Sequence, residues 1–254
     1  MEVTSKLFLL FIFSFQFYNI NGQNRIFVDI LETDKDSTDN STRYLCVGTI
    51  ITSQYALTAA SCLEVAPSRY LYIRYTLISS DTLTSTRVLS VNEVFIHPNY
   101  TIGGNKENNI AVIKAPFGEL YNNADPPRTL GGLTTNSSCN LYGWNSLNGE
   151  SESVTIYGPQ YCNHVNPNVF CSTSPNTAAC SAKIAASVMC GAGVMIDGFL
   201  ISESGCESND NRLYYHSVSE YADWINQVLS SSGRKSESIF LILSLTLMTL
   251  MYKH

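Results

Sequence analysis

The sequence predicts an all-β fold, an antiparallel sandwich or barrel closed by one helix near the C-terminal end, and three observations carry that expectation. Short runs rich in Val, Ile, Tyr and Thr recur along the chain, with clusters of Gly, Asn, Pro or Ser between them. Eight cysteines, an even number with no Cys-x-x-Cys pair among them, read as four disulfides rather than a metal site. A helical period of apolar residues stands out once, over Val218–Leu229.

Taken in order, the chain opens with Lys6, an apolar run Leu7–Phe17 and the polar stretch Asn19–Gly22, which is the pattern of a secretory signal peptide over 1–22. That apolar core is shorter than the roughly 20 residues a membrane-spanning helix needs, so secretion into an oxidising compartment is expected. The strand candidates are Leu45–Ile51, Tyr70–Ile78, Arg87–Phe95, Ile110–Lys114, Asn140–Trp144, Ser153–Tyr157, Ser187–Met195 and Asp197–Ser202. Tyr70, Tyr72 and Tyr75 read as half-buried strand residues. In the helix candidate, Val218, Tyr221, Ile225 and Val228 share one face, and Ser219 is placed to cap the first turn. The densest charge run, Asp29 to Asp39, reads more readily as a solvated loop than as a dock for a basic partner. Between the ends, about 205 residues suffice for one all-β unit or two small barrels.

Composition excludes several classes. The net charge is −6, and no basic cluster is longer than Arg234-Lys235, which argues against nucleic acid as a partner. Histidines at 97, 164, 216 and 254 are scattered, so neither a metal nor a cofactor is expected. Three sequons, at Asn40, Asn99 and Asn136, sit beside turn-forming residues and are candidate glycosylation sites.

The tail, 230–254, carries small residues Ser230-Ser231-Ser232-Gly233, a polar spacer Arg234–Ser238 and an apolar run Ile239–Tyr252. It resembles a GPI-attachment signal, with Ser230 or Ser231 as the point of lipid attachment, although the spacer is shorter than the usual one. The competing readings are a short membrane tail, against which stand the fourteen residues of the run, and a tail left unprocessed.

The segment Ile50–Cys62 ends Leu57-Thr58-Ala59-Ala60-Ser61-Cys62 and resembles the Leu-Thr-Ala-Ala-His-Cys stretch of chymotrypsin-like (S1 family) serine proteases. His97-Pro98-Asn99-Tyr100 and Asn108-Asn109-Ile110-Ala111-Val112-Ile113 are similar to that family's His-Pro-x-Tyr and Asn-Asp-Ile-Ala-Leu-Ile. So are Cys139-Asn140-Leu141-Tyr142-Gly143-Trp144, Asn168-Val169-Phe170-Cys171 and Tyr221-x-x-Trp224-Ile225, in the family's order. Cys180 and Cys190 enclose nine residues, and where the family keeps Gly-Asp-Ser-Gly-Gly this chain reads Ala182-Lys183-Ile184-Ala185-Ala186.

The resemblance implies a trypsin-like double antiparallel β-barrel with a C-terminal helix. It divides the chain into the leader, a pro-segment remnant 23–25, a peptidase-like domain 26–229 with barrels over roughly 26–125 and 126–229, and the tail. The implied disulfides are Cys46 with Cys62, Cys139 with Cys190, Cys162 with Cys171, and Cys180 with Cys206. The implied triad is degenerate, with Ser61 for the histidine, Asn109 for the aspartate and Ile184 for the nucleophile. Such a set cannot perform acyl transfer, because isoleucine has no lone pair, serine is no base near neutral pH and asparagine carries no charge. Ser181 and Ser187 flank the nucleophile position, and His216 reads as a packed strand residue rather than a base for them.

Arg25-Ile26 resembles the family's activation bond. The aspartate that would pair with a freed Ile26 amine is replaced by Lys183, and burying two ammonium groups together is prohibitive. Cleavage there is not expected to trigger the usual switch. Ile201-Ser202-Glu203 stand where the family keeps Ser-Trp-Gly, and Ala178 stands at the pocket floor, which implies a shallow or closed pocket beside an edge still open to β-addition of a peptide.

The function implied is that of a serine protease homologue without catalysis. It would be a secreted or surface-tethered cofactor, decoy or adaptor whose partners are extracellular proteins: a protease, a protease substrate or an inhibitor. Its settings would be a proteolytic cascade, immunity or reproductive fluid. Beside this stand a cell-surface structural or adhesion protein and a weak hydrolase with a relocated site. The tail separates the surface readings by experiment: a phosphatidylinositol-specific phospholipase should release the protein from expressing cells, and retention after treatment removes the lipid anchor.

Overall fold

The computed structural model describes residues 27–34, 42–64, 69–78, 84–103, 107–118, 121, 129–143, 151–162, 166, 168–173, 184–191, 195–202 and 212–231. The leader, Arg25-Ile26, Asn40, Trp144, His164, Ala178, Cys180, Ala182, Lys183, Glu203, Cys206 and the tail beyond 231 lie outside the described residues.

Seven strands form the first sheet: β1 (Phe27–Asp34), β2 (Thr42–Ile50), β3 (Tyr55–Thr58), β4 (Arg69–Ile78), β5 (Thr84–Ser90), β6 (Glu93–Ile96) and β7 (Ala111–Lys114). Their order is β5-β4-β1-β2-β3-β7-β6, with every described pairing antiparallel. The two end strands are consecutive in sequence. Val91 donates its N–H to Leu71 O at 3.1 Å and Asn92 donates to Lys114 O at 2.8 Å. The chain therefore changes partner strand between those residues, and the sheet curls round until its ends meet. The single strand expected over Arg87–Phe95 is two strands for this reason.

The second sheet contains β9 (Ser137–Tyr142), β10 (Ser151–Ile156), β11 (Phe170–Thr173), β12 (Ser187–Cys190), β14 (Gly198–Ser202) and β15 (Arg212–Ser217), in the order β10-β9-β12-β14-β15-β11. It curls as well, because Tyr157, just past β10, exchanges backbone hydrogen bonds with Cys171 of β11. A short parallel pair, β8 (Thr129–Leu130) with β13 (Met195–Ile196), lies beside it. The strand expected over Ser187–Met195 stops at Cys190, where Gly191 turns the chain with φ +63°. The class is the expected one: mostly β, two curled sheets and a C-terminal helix.

That helix occupies 222–231 and is entered through a 3-10 turn, Val218–Tyr221. Val218, Tyr221, Ile225 and Val228 are buried, as the apolar period requires. Ser219 does not cap it. The N-cap is Ser217, which makes no side-chain cap bond; its hydroxyl instead accepts Leu133 N–H at 3.0 Å and pairs with Ser219 Oγ at 3.0 Å.

Three disulfides join Cys46 to Cys62, Cys139 to Cys190 and Cys162 to Cys171, which are pairs the resemblance implies. The sheets share their core. One apolar cluster runs from Val28, Ile30 and Val47 in the first sheet to Leu141, Val188 and Leu200 in the second. Phe27 of β1 stacks on Tyr142 of β9 with ring centroids 5.3 Å apart, and the hydroxyls of Thr49 and Ser187 bond across the same seam. Gly143 follows at φ +97°, and a Cβ there would stand 3.1 Å from Val47 Cγ2, so a side chain at that point would carry backbone strain and push Val47 aside.

Strand β1 overturns the expected solvated loop over its part of the charge run. Asp29 and Glu32 are buried, 3% and 0% exposed, because each lies opposite an arginine on a neighbouring strand. Arg74 of β4 donates to Asp29 Oδ2 from Nη2 at 2.8 Å and from Nε at 3.1 Å, and Arg43 of β2 pairs with Glu32. The tyrosines of β4 also divide: Tyr70 is exposed, Tyr72 half-buried and Tyr75 buried.

Removing one partner of a buried pair strands the other charge. Arg74→Met should destabilise the protein by about 2 kcal/mol, the low side because solvent reaches the arginine, and lower Tm by roughly 4–8 °C. The double change Asp29→Asn with Arg74→Met should recover much of that loss in a thermal melt.

Candidate functional site

Two of the residues singled out by sequence, Ser61 and Asn109, meet where β3 leaves the first sheet. Ala59 and Ala60 are fully buried, and their methyl side chains leave room for the chain to tighten at once into a 3-10 turn, Ala60–Leu63, with Cys62 N–H bonded to Ala59 O at 3.2 Å. The Cys46–Cys62 bridge fixes this turn to β2. Ser61 is thus held half-buried at the turn's start.

Asn109 approaches from the other side, just before β7. The preceding Asn108 has φ +53°, a conformation asparagine tolerates better than most residues, and Ile110 N–H closes onto Asn108 O at 2.7 Å. This tight turn drives the Asn109 side chain inward, where it is 0% exposed. It forms a closed ring of bonds with Ser61: Ser61 N–H donates to Asn109 Oδ1 at 2.8 Å, and Asn109 Nδ2 donates to Ser61 Oγ at 3.0 Å. Because Ser61 Oγ accepts in this ring, its own hydrogen points elsewhere. Neither group ionises near neutral pH, so the pair orients a hydroxyl but takes up no proton.

Ile184 packs partly buried against the core shared by the sheets, and its carbonyl accepts Val47 N–H at 3.4 Å. Val47 follows Cys46, so a single disulfide and one backbone bond connect the Ser61 turn to Ile184. Ala185 has φ +68°, and its N–H donates to Leu200 O at 2.9 Å while Leu200 N–H donates to Ala186 O at 2.8 Å. Ser187 is buried at the seam, and Ile201 is buried at a bulge in β14, between Leu200 and Ser202. Ser181, which flanks Ile184 in sequence, lies outside the described residues.

The two described histidines are engaged elsewhere. His216 is buried on β15 against Phe199 and Tyr221. His97 sets its ring edge-on to Tyr221 at 5.6 Å and Trp224 at 5.0 Å, fastening the end of β6 to the C-terminal helix, and burial lowers its pKa. Of the other candidates, Asn99 and Asn136 are exposed at turns, Asn136 with φ +63°, and Ser230 and Ser231 are exposed at the end of the helix.

Two features escaped the sequence reading. Asp197, between β13 and β14, is a buried carboxylate that accepts Cys190 N–H at 2.7 Å and a second backbone bond from Gly132; burial raises its pKa, and both bonds oppose that rise. The other is a polar pocket of about 450 Å³ lined by Glu107, Asn108, Asn166, Asn168, Glu220 and Tyr221. Burial raises the pKa of Glu220, and burial followed by the Glu220 charge holds the Tyr221 phenol above its usual value. Three segments far apart in sequence build this pocket, so no local pattern announces it.

A sequence profile described as Trypsin matches residues 33–225. The chain belongs to the trypsin family. Similar trypsin-family members include the urokinase-type plasminogen activator of Gallus gallus, 24% identical over 251 residues, with 84% of this chain and 55% of the activator covered. Trypsin I-P38 of Gallus gallus is 24% identical over 213 residues, covering 76% of this chain and 83% of that trypsin. The alkaline trypsin C of Manduca sexta is 33% identical over 101 residues, covering 39% of this chain and 38% of that trypsin. The chain thus spans about half the length of the activator it matches. Solved structures share the fold. Kallikrein-related peptidase 10 in complex with Zn2+ superposes with a TM-score of 0.61 at 19% identity, over 83% of this chain and 97% of that one. HL collagenase superposes with a TM-score of 0.60 at 18% identity, over 82% and 94%.

In this trypsin-family chain the ring between Ser61 and Asn109 gives a direct test of what holds the Ser61 turn. Asn109→Leu leaves the Ser61 N–H without its acceptor and should cost about 1–3 kcal/mol. Asn109→Asp keeps an acceptor for both the N–H and the hydroxyl of Ser61 and should lose less. Chemical denaturation of the three proteins side by side orders them.

Proposed function

We propose that this chain is a non-catalytic member of the trypsin family, which acts outside the cell by binding other proteins as a cofactor, decoy or adaptor. The observation that carries the reading is the closed ring between Ser61 and Asn109. Acyl transfer by a serine requires an imidazole to take its proton and a carboxylate to orient that imidazole. The family's motifs assign positions 61, 109 and 184 to those roles, and the groups standing there are a hydroxyl, an amide and a branched alkyl chain. In the ring, the hydroxyl and the amide satisfy one another in place of supporting a base.

The framework that supports binding is sound on physical grounds. Each native disulfide contributes roughly 2–4 kcal/mol, and the three among the described residues tie together β2 and the Ser61 turn, β9 and β12, and the segments flanking Asn166. Disulfides of this kind form in oxidising compartments, which agrees with extracellular work. The partners expected are a protease, a protease substrate or an inhibitor.

The full secreted chain, made in animal cells and exposed to a fluorophosphonate probe beside active trypsin, should remain unlabelled and cleave no arginyl or lysyl amide substrate. Stoichiometric labelling lost in a Ser61→Ala, Ser181→Ala or Ser187→Ala variant would overturn the reading in favour of a relocated hydrolase. Crosslinking in native extracellular fluid, followed by mass spectrometry, then identifies the partner class.

A further inference from the structure

The turn that carries the Asn99 sequon stands against the polar pocket on two sides. Tyr100 N–H bonds to His97 O at 2.9 Å, which closes the turn and leaves Asn99 and Thr101 exposed. The Asn99 carbonyl accepts a bond of 3.4 Å from Asn108 Nδ2, and Asn108 lines the pocket. On the other flank, His97 packs edge-on against Tyr221, which lines the pocket as well. The acceptor asparagine is therefore fixed at the rim of a cavity rather than on a protruding loop.

The pocket's lining is suited to carbohydrate. Asn108, Asn166 and Asn168 present amide donors and acceptors, Glu107 and Glu220 present acceptors, and the buried Tyr221 forms part of the wall. A pyranose ring displays hydroxyls around its edge, each able to donate and to accept, and an N-acetyl group adds an amide of its own. A volume of about 450 Å³ takes such a ring with water around it.

We propose that Asn99 carries an N-linked glycan whose first N-acetylglucosamine units seat in the pocket formed by Glu107, Asn108, Asn166, Asn168, Glu220 and Tyr221. The sugar then covers the pocket, clamps the 97–101 turn to the Val218–Tyr221 turn and removes this face from the surface open to protein partners. The assignment goes beyond the non-catalytic reading and does not depend on it, because a hydrolase would carry the same sugar in the same place.

The test uses the full secreted chain from animal cells, with glycopeptide mass spectrometry and hydrogen exchange. Asn99 should be occupied, and the amides of 107–110 and 218–222 should exchange about fivefold more slowly than in a Thr101→Ala variant, the effect of roughly one net hydrogen bond. Enzymatic removal of the sugar from the folded parent protein should reproduce the faster exchange, which makes the result independent of any misfolding in the variant. Asn168→Ala should keep the glycan and yet exchange like Thr101→Ala, while Asn136→Gln should change nothing at these amides. An unoccupied Asn99, equal exchange with and without the sugar, or no response to Asn168→Ala overturns the proposal.

Discussion

Asp29 and Glu32 lie inside the first sheet, and the rest of that sheet depends on the arginines that reach them. Strand β1 is the hydrogen-bonded link between β2 and β4, so it joins the two halves of the sheet order. Its other buried residues, Phe27, Val28, Ile30 and Leu31, are apolar. A carboxylate among them would be expelled if left alone, since an isolated buried charge costs several kcal/mol. Arg43 and Arg74 come from the two strands that flank β1, at the positions directly opposite Glu32 and Asp29. The ion pairs therefore act on register: a slip of one residue on either side would turn an arginine to the opposite face and leave a carboxylate behind.

The same logic of contacts between distant segments governs the seam where the sheets meet. Phe27 on Tyr142, Thr49 with Ser187, and Val47 N–H on Ile184 O are interactions across more than ninety residues of chain. They make β1 and β2 the platform on which the 184–187 segment rests. A chain cut after Arg25 would free an amine one residue from Phe27, which is paired with Thr49 and stacked on Tyr142.

Where a pattern is local, the sequence disclosed it. The apolar period at 218, 221, 225 and 228 matches the buried face of the helical segment, and Tyr70–Ile78 and Ile110–Lys114 match β4 and β7 within a residue. The motif residues Ser61 and Asn109, forty-eight positions apart, are in contact. What was hidden depended on partners elsewhere in the chain. Strand β1 was obscured by its own charges, because the arginines that make Asp29 and Glu32 buriable lie on other strands. The corner at Val91–Asn92 was obscured because a strand that switches partners keeps one unbroken β pattern. Ser219 looked like a cap, yet Ser217 spends its hydroxyl on Leu133 and Ser219, and the turn begins without any side-chain cap. The polar pocket gave no sign at all, since neither the Asn108 turn nor the Glu220 turn is a site by itself.

Ala185 holds a left-handed backbone that an alanine adopts only at a cost of about 1–3 kcal/mol. Bonds from its N–H to Leu200 and from Leu200 back to Ala186, with Ile184 O tied to Val47, fix that shape from outside. The course of the loop is thus inherited from neighbouring strands rather than encoded by the residues along it. The side chains on such a loop therefore carry little of the burden of shaping it, and a change of residue there alters the chemistry displayed more readily than the path of the backbone beneath.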